Sequence, residues 1–320
     1  MRIVVPDDFP SVFQSSAAHH RALKLGDVTV YTERGGDDPT ELVRRIGDAE
    51  VVINIRSHAP FTEDVFRACP RLRMISVWGT GVDNIDLGAA ARHGVVISNI
   101  PGVNADAVAE HTFALMLAVA RRIPEADRQL RAGTWSKLLL TQLSGKTLGV
   151  LGLGDIGQRV AKLGRAFGMR VLAWTLRPDQ GRAEALGAQP VGEEELLRSA
   201  DVVTIHLRLT EETRGFLGKH ELGLMKRSAI LVNTARAAII DRQALIDSLR
   251  AGAIQGAGLD VFHEEPVPPN DPILTLPNVV LSPHHASTTP EVIEAGLLKA
   301  VENIEHFVAG SPRHLVAPPQ

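Results

Sequence analysis

The sequence predicts an α/β protein built from two doubly wound parallel sheets, and three observations carry that expectation. Short β-branched runs alternate with helical patterns from one end to the other, the signature of strands joined by crossover helices. The runs fall into two series, one before residue 100 and one after residue 145. At 320 residues the chain has the length of about two domains, enough to bury substantial cores.

The first series comprises MRIVV, DVTVY (27–31), VVINI (51–55), MISV (74–77) and VVIS (95–98), with helical stretches such as TEDVFRA (62–68) between them. NIPGVNADAV (99–108) reads as a turn feeding a long helix over about 104–122. The second series runs TLGVL (147–151), VLAW (171–174), DVVTI (201–205), AILVN (229–233), GAGLD (256–260) and VVLS (279–282). Its near-continuous apolar character fits strands covered on both faces. DRQALIDSLRAG predicts a helix with Asp241 as N-cap, Leu245 and Leu249 facing inward and Gly252 as its stop. A final helix is expected from Pro290 to a stop at Gly310, followed by an irregular tail, SPRHLVAPPQ.

Thirty-four basic residues against 37 acidic ones leave a formal charge of −3, which gives no electrostatic reason to expect nucleic acid or an anionic membrane as the main partner. Cys69 is the only cysteine, so no intramolecular disulfide can form, and a reducing cytosol fits. MRIVVPDDFP reads as a first strand and not as a signal peptide. The longest apolar run, AVAEHTFALMLAVA (107–120), is interrupted by Glu110 and His111 and is too short to cross a bilayer. It reads as a core helix, and the expected location is the cytoplasm.

GLGDIG (152–157) lies between a strand pattern and a helical one with Val160, Leu163, Gly164 and Phe167 on one face. In that context Gly152 permits the tight turn, Gly154 lets the backbone approach a pyrophosphate, and Gly157 allows close helix–strand packing at an anion-attracting helix start. The following strand normally ends, roughly twenty residues on, in an acid that accepts from both ribose hydroxyls. Thr175 stands there instead, with Arg177 two residues later. Threonine removes the repulsion a carboxylate would exert on a 2′-phosphate, and Arg177 can pair with that phosphate. Equally, Arg177 can be a solvated loop residue while Thr175 alone meets an NAD ribose. NADP and NAD both stay open, with a slight lean to NADP.

Three further groups fall at or just beyond second-series strand ends, the rim where α/β sheets bind ligands. Arg236 follows AILVN, Glu265 follows GAGLD and His284 follows VVLS. Arginine can fork a carboxylate and carbonyl oxygen. Histidine, with an ordinary pKa of about 6.5, can give or take a proton there. A glutamate beside the imidazole favours its charged form and fixes its orientation. Singly each is better read as a strand cap, a solvated acid or a satisfied loop histidine; together with the glycine loop they read as redox chemistry on a 2-oxo acid.

The chain resembles the D-isomer-specific 2-hydroxyacid dehydrogenases. The matching stretches are GTGVDNIDL (79–87), PGVNADAVAEHT (101–112), GLGDIGQRVAKLGRAFGMRV (152–171), DVVTIHL, LMKRSAILVNTARAAIIDRQAL, GAGLDVFHEEP and LPNVVLSPHHAS. The resemblance implies a flavodoxin-like substrate domain (1–99 and 288–320), a Rossmann nucleotide-binding domain (100–287) and an active site in the cleft between them. It carries Arg236, Glu265 and His284 over as the catalytic set, with His284 as acid/base. It assigns cofactor contacts to Asp155, Ile156, Thr175, Leu207, Thr234, Ala235, Arg236, Asp260 and His284. Arg56, Ser57, Thr80 and Gly81 match positions that receive substrate, with Thr80 also beside the cofactor. Homodimers that pair through the nucleotide domain are common among such proteins, and no metal is implied.

Three departures matter. Thr175 puts NAD preference in doubt, Ala237 replaces the glycine that commonly follows the catalytic arginine, and His285 adds a second imidazole. His285 is expected to be a bystander, pointing away from His284 in an extended segment. The expected activity is hydride transfer between NAD(P)(H) and a small 2-oxo or 2-hydroxy acid such as glyoxylate or hydroxypyruvate. Phosphoglycerate oxidation stays open. Formate oxidation is disfavoured, because related formate dehydrogenases carry glutamine where Glu265 stands. A non-catalytic dinucleotide sensor on the same scaffold is the alternative from another class.

Overall fold

The eleven strand patterns all become strands, and a twelfth appears that the sequence pattern did not signal. The computed structural model describes residues 1–55, 58–178 and 180–316. They divide into two units, Met1–Asn104 with Thr288–Gln320 and Ala105–Ser287.

In the first unit the strands are β1 (Arg2–Val5), β2 (Asp27–Val30), β3 (Val51–Asn54), β4 (Met74–Val77) and β5 (Val96–Ser98). All pair in parallel in the order β2-β1-β3-β4-β5, the flavodoxin-like winding. Every residue of β3 and β4 is buried, because helices cover both faces of a parallel sheet. The helices are α1 (Ala17–Ala22), α2 (Pro39–Ile46), α3 (Glu63–Ala68) and α4 (Leu87–Arg92). Ser16, Asp38 and Asp86 cap the first, second and fourth by accepting from backbone amides, which satisfies donors the helix itself leaves open.

The second unit begins with α5 (Ala105–Ala120) and α6 (Ile123–Arg131), then alternates β6 (Thr147–Leu151), α7 (Asp155–Ala166), β7 (Arg170–Trp174), α8 (Gln180–Ala185), β8 (Gln189–Pro190), α9 (Glu193–Ser199) and β9 (Val202–Ile205). It continues with α10 (Lys219–Leu224), β10 (Ile230–Asn233), α11 (Arg242–Arg250), β11 (Gly256–Leu259) and β12 (Val279–Leu281). The sheet is all parallel in the order β12-β11-β10-β9-β6-β7-β8. The winding reverses between β6 and β9, and that switch point is where such sheets receive a ligand. β8 escaped notice because it is two exposed residues, Gln189 and Pro190, with no apolar run.

Local signals explain most helix bounds. Asp241 caps α11 by accepting from the Ala244 amide, with Leu245 and Leu249 buried beneath it. The long helix expected to about 122 stops at Ala120, since Arg122 turns left-handed (φ 48°) and α6 starts at the next residue. Phe167 corrects the expected inner face of α7: it is the C-cap, 41% exposed, with its ring centroid 5.0 Å from that of Phe113.

The final helix, α12 (Pro290–Val308), belongs to the first unit. The Ser76 hydroxyl donates to the Ala300 carbonyl (2.7 Å), and the Trp78 indole occupies the space a side chain on Gly296 would need. No helix among the described residues is long and apolar enough to cross a membrane.

Candidate active site

The glycine loop sits at the switch point. Gly152, directly after β6, has φ 98°, a left-handed value that disfavours residues with a Cβ. A Cβ there would also lie 2.8 Å from the His206 carbonyl, at the end of β9. Gly157, in the first turn of α7, would put a Cβ 1.9 Å from the Gly152 carbonyl. Only glycine lets this helix start so close to the strand. A Cβ on Gly154, by contrast, would meet nothing within 4 Å. The loop thus leaves open space above Gly154, in front of the first amides of α7, with Asp155 exposed and Ile156 half-buried beside it. A pyrophosphate fits such a cradle.

Around it, Leu207 turns its side chain into the core and presents its backbone amide near Gly152. Thr175 follows β7, and its hydroxyl donates to the Arg177 carbonyl (2.8 Å), leaving the oxygen's lone pairs as acceptors. The Arg177 side chain is exposed.

The second cluster spans the neighbouring ends of β10, β11 and β12. Beyond β10, Asn233 shapes the turn carrying Thr234, Ala235 and Arg236. Its Nδ2 donates to the Arg236 carbonyl and its Oδ1 accepts from the Ala235 amide, both at 2.9 Å. Beyond β11, Glu265 accepts from the Phe262 amide through Oε1 (2.9 Å) and pairs with His284 Nδ1 through Oε2 (2.7 Å). Partial burial pushes the Glu265 carboxyl up. The His284 hydrogen bond and charge, the Phe262 amide and the nearby Arg236 guanidinium outweigh it and hold the group below its ordinary value. An ionised carboxylate only accepts, so the proton in that contact belongs to Nδ1 and Nε2 is the nitrogen left to exchange protons.

His284 itself has φ 49°, an uncommon conformation for a residue with a side chain. Asp260 holds it there. This aspartate is 1% exposed, and its carboxylate accepts from the His285 amide (3.1 Å), the Ala286 amide (3.0 Å) and the Ser282 hydroxyl. Burial alone would raise its pKa, but the hydrogen bonds from His111, Ser282 and the two amides lower it overall. Asp260, expected among the cofactor contacts, thus spends its carboxylate on the turn that presents His284. The reason given for His285 as a bystander fails: the left-handed turn at His284 breaks the extended run, and the His285 ring meets His111 edge-on at 5.3 Å between centroids.

Helix α5 supplies two supports. His111 Nε2 lies 2.7 Å from the Ser282 hydroxyl, and Thr112 Oγ1 lies 2.9 Å from Thr234 Oγ1. Sequence reasoning missed these roles, and that of Asn233. The available signal was the polar interruption, Glu110-His111-Thr112, in an otherwise apolar helix.

Among the positions expected to receive substrate, Arg56 and Ser57 lie outside the described residues. Thr80 and Gly81 follow β4 in the first unit, both half-buried. Asn99 Nδ2 donates to the Thr80 carbonyl (2.8 Å), and Asn303 of α12 in turn donates to the Asn99 carbonyl (2.9 Å).

Comparison with known proteins bears on this arrangement. Residues 113–286 match the NAD binding domain of the D-isomer specific 2-hydroxyacid dehydrogenases. The chain is 47% identical to a glyoxylate reductase of Aeropyrum pernix over 96% of each protein. Among solved structures, an acyclic imino acid reductase in complex with NADPH and D-Arg superposes with a TM-score of 0.89, at 31% identity over 99% of this chain and 100% of that one. D-lactate dehydrogenase from Aquifex aeolicus, complexed with NAD and lactic acid, gives 0.87 at 29% identity over the full length of both chains. With a match at this identity across nearly its whole length, and its glycine cradle and strand-end triad in the matched segment, the chain belongs to the D-isomer-specific 2-hydroxyacid dehydrogenase family.

Proposed function

We propose that this protein reduces a small 2-oxo acid with NAD(P)H, or runs the reverse oxidation, with Arg236, Glu265 and His284 as its catalytic set. The observation that carries this reading is the 2.7 Å contact between Glu265 and His284 Nδ1, on strand ends next to the one bearing Arg236. Glu265 keeps His284 in the tautomer whose Nε2 faces outward, and its charge steadies the imidazolium. His284 then hands a proton to the substrate oxygen, or takes it back. Arg236 holds the substrate's carboxylate and carbonyl oxygen, which fixes the angle of approach. Gly152, Gly154 and Gly157 would hold the dinucleotide, which would supply or accept the hydride at substrate C2. Arg56, Ser57, Thr80 and Gly81 are assigned to substrate binding on resemblance alone. Glyoxylate and hydroxypyruvate are the leading substrates, in keeping with the A. pernix relative.

NADPH is the favoured cofactor in this reading. Thr175 brings no negative charge to the ribose, and Arg177 is exposed two residues away. The protein is further assigned to the cytoplasm and to a homodimer. Helix α6 has no buried residue, and around it Ile123, Leu130, Trp135, Leu139 and Leu140 are 47–93% exposed. So much apolar surface on one segment fits a partner of the same chain.

The test is a panel of glyoxylate, hydroxypyruvate and 3-phosphohydroxypyruvate with NADH and NADPH. Turnover of at least one acid is expected, with His284→Ala abolishing it while dinucleotide affinity stays within about twofold. Tight dinucleotide binding without turnover would refute the enzyme, a tenfold preference for NADH would refute the cofactor assignment, and a monomer by sedimentation would refute the dimer.

A further inference from the structure

One cluster of three potential metal-binding side chains occurs among the described residues, and the proposed chemistry does not use it as one. His111 of α5, Asp260 at the end of β11 and His285 beyond β12 bring one donor atom each within 4.8 Å of one another. We propose that these three residues bind a single divalent cation of the imidazole-preferring kind, Zn²⁺ or its neighbours Co²⁺ and Ni²⁺. The inference does not rest on the activity assigned above.

The geometry argues for it in three ways. His111 Nε2 and Asp260 Oδ1 are 3.4 Å apart. That is the edge of a tetrahedron whose bonds to the ion are about 2.1 Å. The third donor must close by no more than the difference between that edge and the 4.8 Å limit, and it comes from His285, which is exposed and can turn. Finally, the outer shell already exists. The Ser282 hydroxyl donates to Asp260 Oδ1. Two backbone amides fix the carboxylate. Such partners orient metal ligands.

Without metal the His111 Nε2 proton bridges to Ser282. A cation takes that proton's place, and the neutral ring carries the proton on Nδ1 instead. Two imidazoles and one carboxylate leave the fourth position to water and suit a borderline ion; Mg²⁺ and Ca²⁺ demand more oxygen ligands.

The experiment uses the full chain, stripped with a chelator and titrated with Co²⁺ under visible absorption. One Co²⁺ per chain is expected, displaced by Zn²⁺ and unaffected by excess Mg²⁺. His285→Ala and His111→Gln should each weaken binding by at least about tenfold. Glu265→Gln should bind like the parent, which separates this site from the adjacent Glu265–His284 pair. Co²⁺ should also raise the melting temperature of the parent but not of His285→Ala. No uptake, uptake unchanged in His285→Ala, uptake lost in Glu265→Gln, or equal competition by Mg²⁺ would each overturn the proposal.

Discussion

Acid should destabilise the second unit through His206, by an amount that follows from its surroundings. This residue comes directly after β9 at the rim of the dinucleotide crevice, and its amide donates to the Leu151 carbonyl at 2.7 Å. The residue as a whole is half-buried, but Nε2 is fully enclosed and has no hydrogen-bond partner among the described residues. Burial holds its pKa down to about 3, because an imidazolium there would lose hydration and gain no acceptor. In the unfolded chain the same group takes a proton at about 6.5. Between those values the unfolded state holds more protons, so stability falls as pH falls. Integrating from pH 7.5 to pH 5 gives roughly 2 kcal/mol, at about 1.36 kcal/mol per pH unit once the unfolded group is charged. His206→Leu removes the titration. Urea unfolding of parent and variant at both pH values should show their stability difference moving by about 2 kcal/mol in the variant's favour at pH 5. A movement below about 0.5 kcal/mol would refute the account of this histidine.

Three further outcomes are expected. Glu265→Gln keeps the shape but loses the charge; at a contact with both side chains about a third exposed, roughly half of a charge-assisted bond's 1.5–3 kcal/mol survives. Turnover should therefore drop about tenfold with dinucleotide affinity unchanged, and steady-state kinetics with an unaltered kcat would remove Glu265 from the mechanism. Gly157→Ala places a methyl 1.9 Å from the Gly152 carbonyl, so α7 must shift; calorimetric titration should find dinucleotide affinity reduced at least about tenfold. Thr175→Asp introduces a carboxylate facing the ribose and should move kcat/KM toward NADH over NADPH by about tenfold or more; an unchanged ratio would show that this position does not read the ribose.

The sheets were legible because parallel strands buried on both faces must be apolar along their length, and VVINI, AILVN and DVVTI have few competing readings. The glycine loop was legible for a steric reason that survives in the fold, with Gly152 and Gly157 each facing a carbonyl no Cβ could approach. What escaped lay where the pattern is thin. β8 is two exposed residues on the sheet edge. The break between α5 and α6 hangs on one left-handed arginine, a conformation that residue type does not announce.

The support of the candidate active site escaped for a different reason: its partners are distant in sequence and unremarkable one at a time. The resemblance assigns Asp260 a cofactor contact and says nothing of what its carboxylate bonds within the chain. In the fold its carboxylate accepts from both amides that follow His284 and so helps hold that residue left-handed. A conformation costing about 1–3 kcal/mol persists only where its surroundings over-determine it. Here two amide hydrogen bonds to a buried carboxylate suffice, at about 1.5–3 kcal/mol each for a charged acceptor. His111 and Thr112 extend the same logic from α5, tying the ends of β12 and β10 to one helix. The polar interruption of that apolar helix is therefore a structural strut, whose hydrogen bonds fall on the turns that carry Arg236 and His284.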